Sequence, residues 1–498
     1  MRSTSISKQA ITLISGRGLA SLFTFLIPVV LTRHLTPSDY GTFKQVFLIY
    51  GTLFTVLPFG TIQSLYYFIP KDPDRIKVYL VQSLLFLQVS GLIAMLFLLT
   101  LGQKISVYFN NPALAPYLFQ LGLFIFLTLS SAYFEALLIS SQKINQAAIL
   151  SFISEACKTG FMLVPLLFWR DLSSLMWGMG LFAFFRFSLT MVYVVRRYSL
   201  SWKDFDRPSF RTQLAYALPF GLAVILQVTQ DHFHQYVVAY TYSAAVFAVY
   251  SVGMFQLPLI ELVGAPMSQL LIVRMTSLLR QGGAAGEVLA LWRDITKKLA
   301  IVFIPAFVFL QVMAREVVVF LFTSAYLPSV PLIRLSAVSL LTAFLLAEGA
   351  LRAYAQTRFI LKVTFIKTAL TLLFIFPFLM WFGLLGGLIT LTSVLVFAKG
   401  VSLWKMSRLV PVSVGVLLPW RDFSAISVFS LLSAVPVFFI KSLHFTSTFS
   451  VLSISASVYS LLYLFFLFTS SLISFDEKRE MIRMARSLGS RLPAASKY

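Results

Sequence analysis

SEACKTGFMLVPLLFW, residues Ser154 to Trp169, holds the reading on which the rest of this chain turns. From Thr159 onward it carries no charge, and its apolar residues run consecutively instead of alternating. That pattern suits a helix, which satisfies its own backbone hydrogen bonds in hydrocarbon, and not a strand of a membrane barrel. Near its start, however, Glu155 and Lys158 stand three apart, the spacing that places two side chains on one helical face. An unpaired charge is expensive in lipid, so this face either meets water or a polar ligand, or the two charges serve each other.

Outward from this stretch the pattern recurs along all 498 residues, of which 58% are hydrophobic and 12% charged, with a mean hydropathy of +0.86. Such a composition excludes an ordinary soluble domain and indicates a polytopic membrane protein. Fourteen apolar runs are long enough to cross a hydrocarbon core. They lie near residues 9 to 32, 43 to 69, 79 to 101, 116 to 139, 147 to 169, 174 to 195, 213 to 231, 246 to 272, 297 to 322, 329 to 351, 359 to 382, 384 to 404, 423 to 443 and 449 to 473. The first is too long for a signal peptide, contains Arg17 and lacks a small-residue cleavage site, so it reads as helix 1. The single cysteine, Cys157, lies inside a span and provides neither a disulfide framework nor a cysteine metal site.

The end of the opening stretch also has an echo. VPLLFW (Val164 to Trp169) returns as FPFLMW (Phe376 to Trp381), with proline and tryptophan in register 212 residues later. EALLISSQK (Glu135 to Lys143) and EGALRAYAQTR (Glu348 to Arg358) are offset by 213 at their glutamates, and LPFGTIQSL (Leu57 to Leu65) and APMSQLL (Ala265 to Leu271) by 208 at their prolines. The shared spacing implies two pseudo-symmetric six-helix lobes, residues 1–200 and 201–410, with two further helices over 411–475 and a basic amphipathic tail over 476–498. Because six is even, both copies insert in the same orientation, about an axis along the membrane normal. The fold class is therefore all-α integral membrane with 14 transmembrane helices.

A net charge of +22 raises the question of nucleic acid. With the N-terminus in the cytoplasm, the tails and the loops after even-numbered helices hold 29 of the 40 Lys and Arg, opposite loops hold seven, and four lie within spans: Arg17, Lys158, Arg186 and Lys367. This is the positive-inside asymmetry, and it places both termini in the cytoplasm. The clusters RRYSLSWKDFDRPSFR (Arg196 to Arg211) and KREMIRMARSLGSRL (Lys478 to Leu492) alternate basic with apolar residues. Anionic membrane lipids suit them better than nucleic acid, which is not expected as a partner.

LTPSDYGTF (Leu35 to Phe43), between helices 1 and 2, resembles the L-x-P-x-x-Y-G-x-F turn of bacterial polysaccharide-transport proteins, members of the multidrug, oligosaccharidyl-lipid and polysaccharide exporter superfamily. LAYALPFGL (Leu214 to Leu222), entering helix 7, resembles that family's second landmark. The second copy of the turn reads FAVY (Phe247 to Tyr250) against YGTF, so it lacks the glycine a tight turn would want. The resemblance covers essentially the whole chain. It implies a flippase of the O-antigen, capsule or exopolysaccharide type in the bacterial inner membrane, moving an undecaprenyl-pyrophosphate-linked oligosaccharide by alternating access, with no catalytic residues. A polysaccharide polymerase and chain-length machinery are the partners such a flippase implies.

A lipid-linked sugar explains why charges belong inside these spans. Its polyprenyl tail is soluble in lipid, whereas its pyrophosphate and glycan need hydrogen bonds and counter-charge, which Arg supplies as a planar fork and Lys as a compact cation. Arg17, Lys158, Arg186, Lys367 and Arg352 are the substrate-binding candidates. Polar stripes at helical spacing run through Arg17, Ser21, Thr24 and Pro28; through Ser151, Glu155, Lys158, Met162 and Pro165; through Gln213, Tyr216, Gln227, Gln230 and Asp231; through Thr128, Ser131, Glu135 and Gln142; and through Glu348, Arg352 and Gln356. These faces are expected to line a central cleft. Glu135, Glu155, Gln227, Asp231, Glu261 and Glu348 either neutralise lining cations or take part in coupling to a proton or sodium ion; local pairing is the simpler role, since buried charges need partners. No cofactor is expected.

His232 and His234 with Asp231 form DHFH, but three potential ligands at a helix end without a fourth suit a solvated loop better than a metal site. Pro28, Pro58, Pro165, Pro219, Pro266, Pro305 and Pro377 are expected to kink their helices. Other readings compete. A multidrug or cation exporter of the same superfamily would concentrate carboxylates without so many basic partners. A membrane polymerase or ligase would want a long outer loop, and GQKISVYFNNPALAP (Gly102 to Pro116) is of ordinary length. A passive assembly scaffold would tolerate neutralised charges.

Overall fold

In the computed structural model, described over residues 23–255, 260–443, 447–472 and 479, the chain is built of helices and connecting turns. In order they are α1 (Phe23–His34), α2 (Pro37–Val56), α3 (Thr61–Lys71), α4 (Ile76–Tyr108), α5 (Tyr117–Leu129), α6 (Tyr133–Ser140), α7 (Ile144–Trp169), α8 (Leu172–Tyr198), α9 (Arg207–Thr241) and α10 (Ala244–Gly253). Then follow α11 (Ala265–Arg280), α12 (Ala285–Phe322), α13 (Val330–Ser336), α14 (Val338–Ala343), α15 (Ala347–Ala353), α16 (Thr357–Phe382), α17 (Leu384–Leu409), α18 (Val414–Leu417), α19 (Trp420–Ser442) and α20 (Thr448–Thr469). Among the described residues, thirteen helical segments are long and apolar enough to cross a membrane, and they coincide with the second to fourteenth expected spans. The first expected span is described from Phe23 onward. The eighth is shifted: α10 ends at Gly253, a π turn occupies Ile260–Gly264, and the crossing segment runs Leu262–Arg280.

This is a multi-pass membrane protein, and its surface shows it. α4 buries Leu80, Leu84, Leu87 and Leu98 while presenting Val89, Ile93 and Leu96 outward, Ile93 at 60% exposure. A helix apolar all round is stable in this way only when its outer face meets lipid.

The chain divides into two compact units. The first comprises Met1–Pro258, Leu321–Leu332 and Leu361–Val394; the second comprises Leu259–Phe320, Ile333–Ile360 and Leu395–Tyr498. Within the first, α2 packs along α10, α4 along α5, and α7 along α8. Within the second, α19 pairs with α20 and α11 with α15.

The segment expected as a tight turn is a helix start. Thr36, extended at φ −65° and ψ 157°, caps α2 by accepting from the Asp39 amide at 3.2 Å, its hydroxyl donates to the Asp39 carboxylate at 2.7 Å, and Pro37 opens the first turn. Ser243 begins α10 with almost the same backbone, φ −64° and ψ 162°. The missing glycine in FAVY therefore costs nothing at the turn. Gly41 sits inside α2, where a Cβ would lie 1.8 Å from the Ala244 carbonyl oxygen, so its hydrogen permits the close crossing of α2 and α10.

The break between α2 and α3 follows from Pro58 and from Gly60, whose φ of +80° favours glycine. That bend interlocks with α9, because Gly60 abuts the Ala217 carbonyl and Phe59 fills the space over Gly221. α9 continues through Pro219 as one helix.

Candidate functional site

Unit 1 gathers charge around α7. Glu155 accepts from Lys158 Nζ at 2.5 Å, one turn apart on the same helix, and the side chains retain 27% and 24% exposure. Thr24 of α1 donates to the same carboxylate oxygen, Glu155 Oε2, at 3.3 Å. The polar stripes expected on helices 1 and 5 therefore meet. Half-buried Arg186 comes from α8, and both it and Glu155 lie within electrostatic reach of the Tyr50 hydroxyl of α2. Tyr50 is held in place by the rings of Phe54 at 5.2 Å and Phe124 at 5.0 Å. The result is one cation, Arg186, and one carboxylate, Glu155, near a tyrosine hydroxyl, with a second cation, Lys158, paired to that carboxylate, all supplied by membrane-spanning helices. Such a group can donate hydrogen bonds to an anion and supply net positive charge where lipid alone would offer neither.

The other candidates fall elsewhere. Lys367 is half-buried on α16, and its carbonyl accepts from Thr371. Arg352 is exposed in the last turn of α15, in unit 2. Glu348, on the same short helix, pairs with Lys399 of α17 at 3.6 Å. Lys399, expected among the cytoplasmic charges, is 15% exposed within α17 and also donates to the Leu345 carbonyl at 3.5 Å. Its place inside the span 384 to 404 was the available signal. Glu135 is half-buried in the first turn of α6. Gln227 donates to Asp231 at 2.7 Å on an exposed face of α9. Arg17, the side chain of Glu261 and the tail apart from Arg479 lie outside the described residues.

Three expectations about lining residues need correction. Gln213 is 1% exposed and donates to Ser64 of α3 and Ser83 of α4, both at 2.9 Å, so it ties three helices and lines nothing. Ser131 and Thr128 are buried, and each donates to carbonyls of its own chain segment one turn earlier. His232 and His234 stand inside α9, not in a loop. His232 Nδ1 lies 2.8 Å from the Thr52 hydroxyl, to which Tyr236 also donates, and His234 Nδ1 lies 2.9 Å from the Tyr250 hydroxyl. Helical periodicity identified the faces, but neighbouring small polar residues decided which were covered.

A buried amide network also escaped the sequence reading. Asn111 donates to Thr42 at 2.9 Å and to Gln45 Oε1 at 2.7 Å, and Gln45 donates to the Phe109 carbonyl at 3.3 Å. It fastens the loop after α4 to the start of α2.

A sequence model of the family described as polysaccharide biosynthesis protein matches residues 30–331. No curated protein matches in a sequence search. Among solved structures, the lipid II flippase MurJ in an inward closed conformation aligns with a TM-score of 0.67 at 14% identity, covering 90% of this chain and 97% of that one. An inward-facing multidrug resistance MATE family transporter of the MOP superfamily aligns at 0.62 and 15%, covering 80% and 95%. A MOP superfamily transporter from Pyrococcus furiosus, described by the reverse polarity of its binding pocket, aligns at 0.55 and 16%, covering 83% and 96%. At these identities the likeness concerns the fold.

Proposed function

The chain belongs to the family of polysaccharide biosynthesis proteins, and on that premise we propose that it is a flippase for an undecaprenyl-pyrophosphate-linked oligosaccharide in a bacterial inner membrane. The observation that carries this reading is the group around α7, where Lys158 pairs with Glu155, Arg186 of α8 lies near the same Tyr50 as that carboxylate, and both cations stay partly open. A pyrophosphate is the ligand whose charge and acceptor geometry answer it. Arg17, Lys367 and Arg352 are further candidate cations, and Glu135, Gln227, Asp231, Glu261 and Glu348 set the local charge or serve coupling to a proton or sodium ion. The polyprenyl tail stays in lipid. Two six-helix lobes, residues 1–200 and 201–410, alternate access to the two sides, and both termini face the cytoplasm. Downstream, polymerase and chain-length machinery consume the product.

The test is a deletion strain in which lipid-linked oligosaccharide is located by leaflet. Accumulation in the cytoplasmic leaflet, relieved by the wild type and not by R17A/K158A, is expected. Full rescue by that double variant removes the cationic site from the reading. Glycan extension or transfer by the purified protein overturns transport altogether.

A further inference from the structure

α12 carries a buried proline, Pro305, in its interior. Proline has no N–H, so the carbonyl of Ile301, four residues earlier, loses its helical partner, and an unmatched carbonyl in hydrocarbon is expensive. α20 supplies the missing donor. The Tyr463 hydroxyl donates to the Ile301 oxygen at 2.9 Å, and one turn earlier Tyr459 donates to the Pro305 oxygen at 2.9 Å. Two tyrosines four residues apart thus read two carbonyls four residues apart.

Both side chains are buried, at 5% and 6% exposure. The Tyr459 ring packs 5.3 Å from that of Phe309 and joins Val308 and Met313 of α12 and Ala434 and Val437 of α19 in one apolar cluster. Beside Pro305 a cavity of about 350 Å³, lined by Pro305, Ala306, Ala456 and Leu464 together with the tyrosines, leaves room for α12 to bend. α4, which holds the third position of the first six-helix copy as α12 does of the second, has no proline. The interior proline therefore belongs to the copy whose helix meets α20.

We propose that Tyr459 and Tyr463 are positioning residues that latch the bend of α12 at Pro305, giving the appended helices α19 and α20 control over the shape of a helix in the transport core. A static filler would need only to be apolar; a latch needs the two hydroxyls. The consequence for transport rests on the flippase reading, whereas the bend itself does not.

The experiment uses the full chain in nanodiscs, with C157S removing the lone cysteine and spin labels at K298C and R315C, exposed sites roughly 25 Å apart along the axis of α12. Double electron–electron resonance reads the bend. Y463F is expected to change the ratio of bent to straight α12 by about fivefold, the factor expected for one neutral hydrogen bond, and Y459F/Y463F by more. P305A added to the double variant restores the N–H and is expected to return one narrow distribution. If Y459F/Y463F matches the parent, the latch is overturned. If that protein is not monodisperse, Y463F alone decides on the same criterion. A shifted bend alongside normal transport by K158A sinks the flippase reading and leaves the latch standing.

Discussion

The less exposed ion pairs of the membrane-spanning helices differ between the two units in what they connect. In unit 1, Glu155 and Lys158 are neighbours on α7, so their bond holds no two elements together. In unit 2, Lys441 of α19 reaches Glu316 of α12 at 3.1 Å and the Val312 carbonyl at 2.9 Å, while Lys399 of α17 reaches Glu348 of α15. A cation whose partner lies on its own helix can exchange that partner for a ligand without unpacking anything. One that bridges two helices cannot, because releasing it leaves a buried carboxylate unmatched and frees the helices to separate. The first arrangement suits binding and the second suits support.

The strongest way to break this contrast is K158A. Transport is expected to fall by about 10- to 100-fold, the range set by a charge-assisted hydrogen bond to the substrate, with the melting temperature of the purified protein nearly unchanged. A large loss of stability with normal transport would reverse the assignment. The swap E155K/K158E sharpens it, since pairing survives while the cation moves by one helical turn. Stability is expected to hold and transport to stay low.

Next comes K441M, which leaves the Glu316 carboxylate without its bridging partner. A cost of roughly 1 to 3 kcal/mol, read as a lower melting temperature, is expected for this partly buried pair, and the exchange E316K/K441E is expected to recover most of it. K399M should cost less, because its pair is longer and Glu348 is 41% exposed. The smallest effect belongs to K298M, which removes an exposed pair with Asp294 at 2.9 Å and should change stability by about 0.3 kcal/mol. A loss at Lys298 as large as at Lys441 would mean that pair geometry, not connection between helices, sets the ranking.

Pairing of Glu155 with Lys158 was legible from spacing alone, because a helix fixes which residues share a face; that Thr24 of α1 reaches Glu155 was not. Nor was the fate of Gln213. Its stripe looked like a lining face, and only the arrival of Ser64 and Ser83 from separate helices turned it into a tie. His232 and His234 were misplaced for a related reason, since a charged, polar run inside a long apolar helix resembles a helix end until Thr52 and Tyr250 are seen to receive it. Lys399 shows the converse, a cation discounted as a loop charge that a neighbouring carboxylate draws into the packed interior.

What the chain determines by itself is governed by local and solvent physics. Hydropathy and segment length dictate membrane-spanning helices, and Thr36 with Pro37 starts α2 wherever that helix is placed. Which polar groups are spent on holding the protein together is decided by tertiary structure. Gly41 is read as a turn residue until Ala244 lies against it, and Pro305 as a kink until Tyr463 supplies the donor that Ile301 lost. In a bilayer every polar group must find a partner, and that partner lies one turn away for some groups and more than a hundred residues away for others.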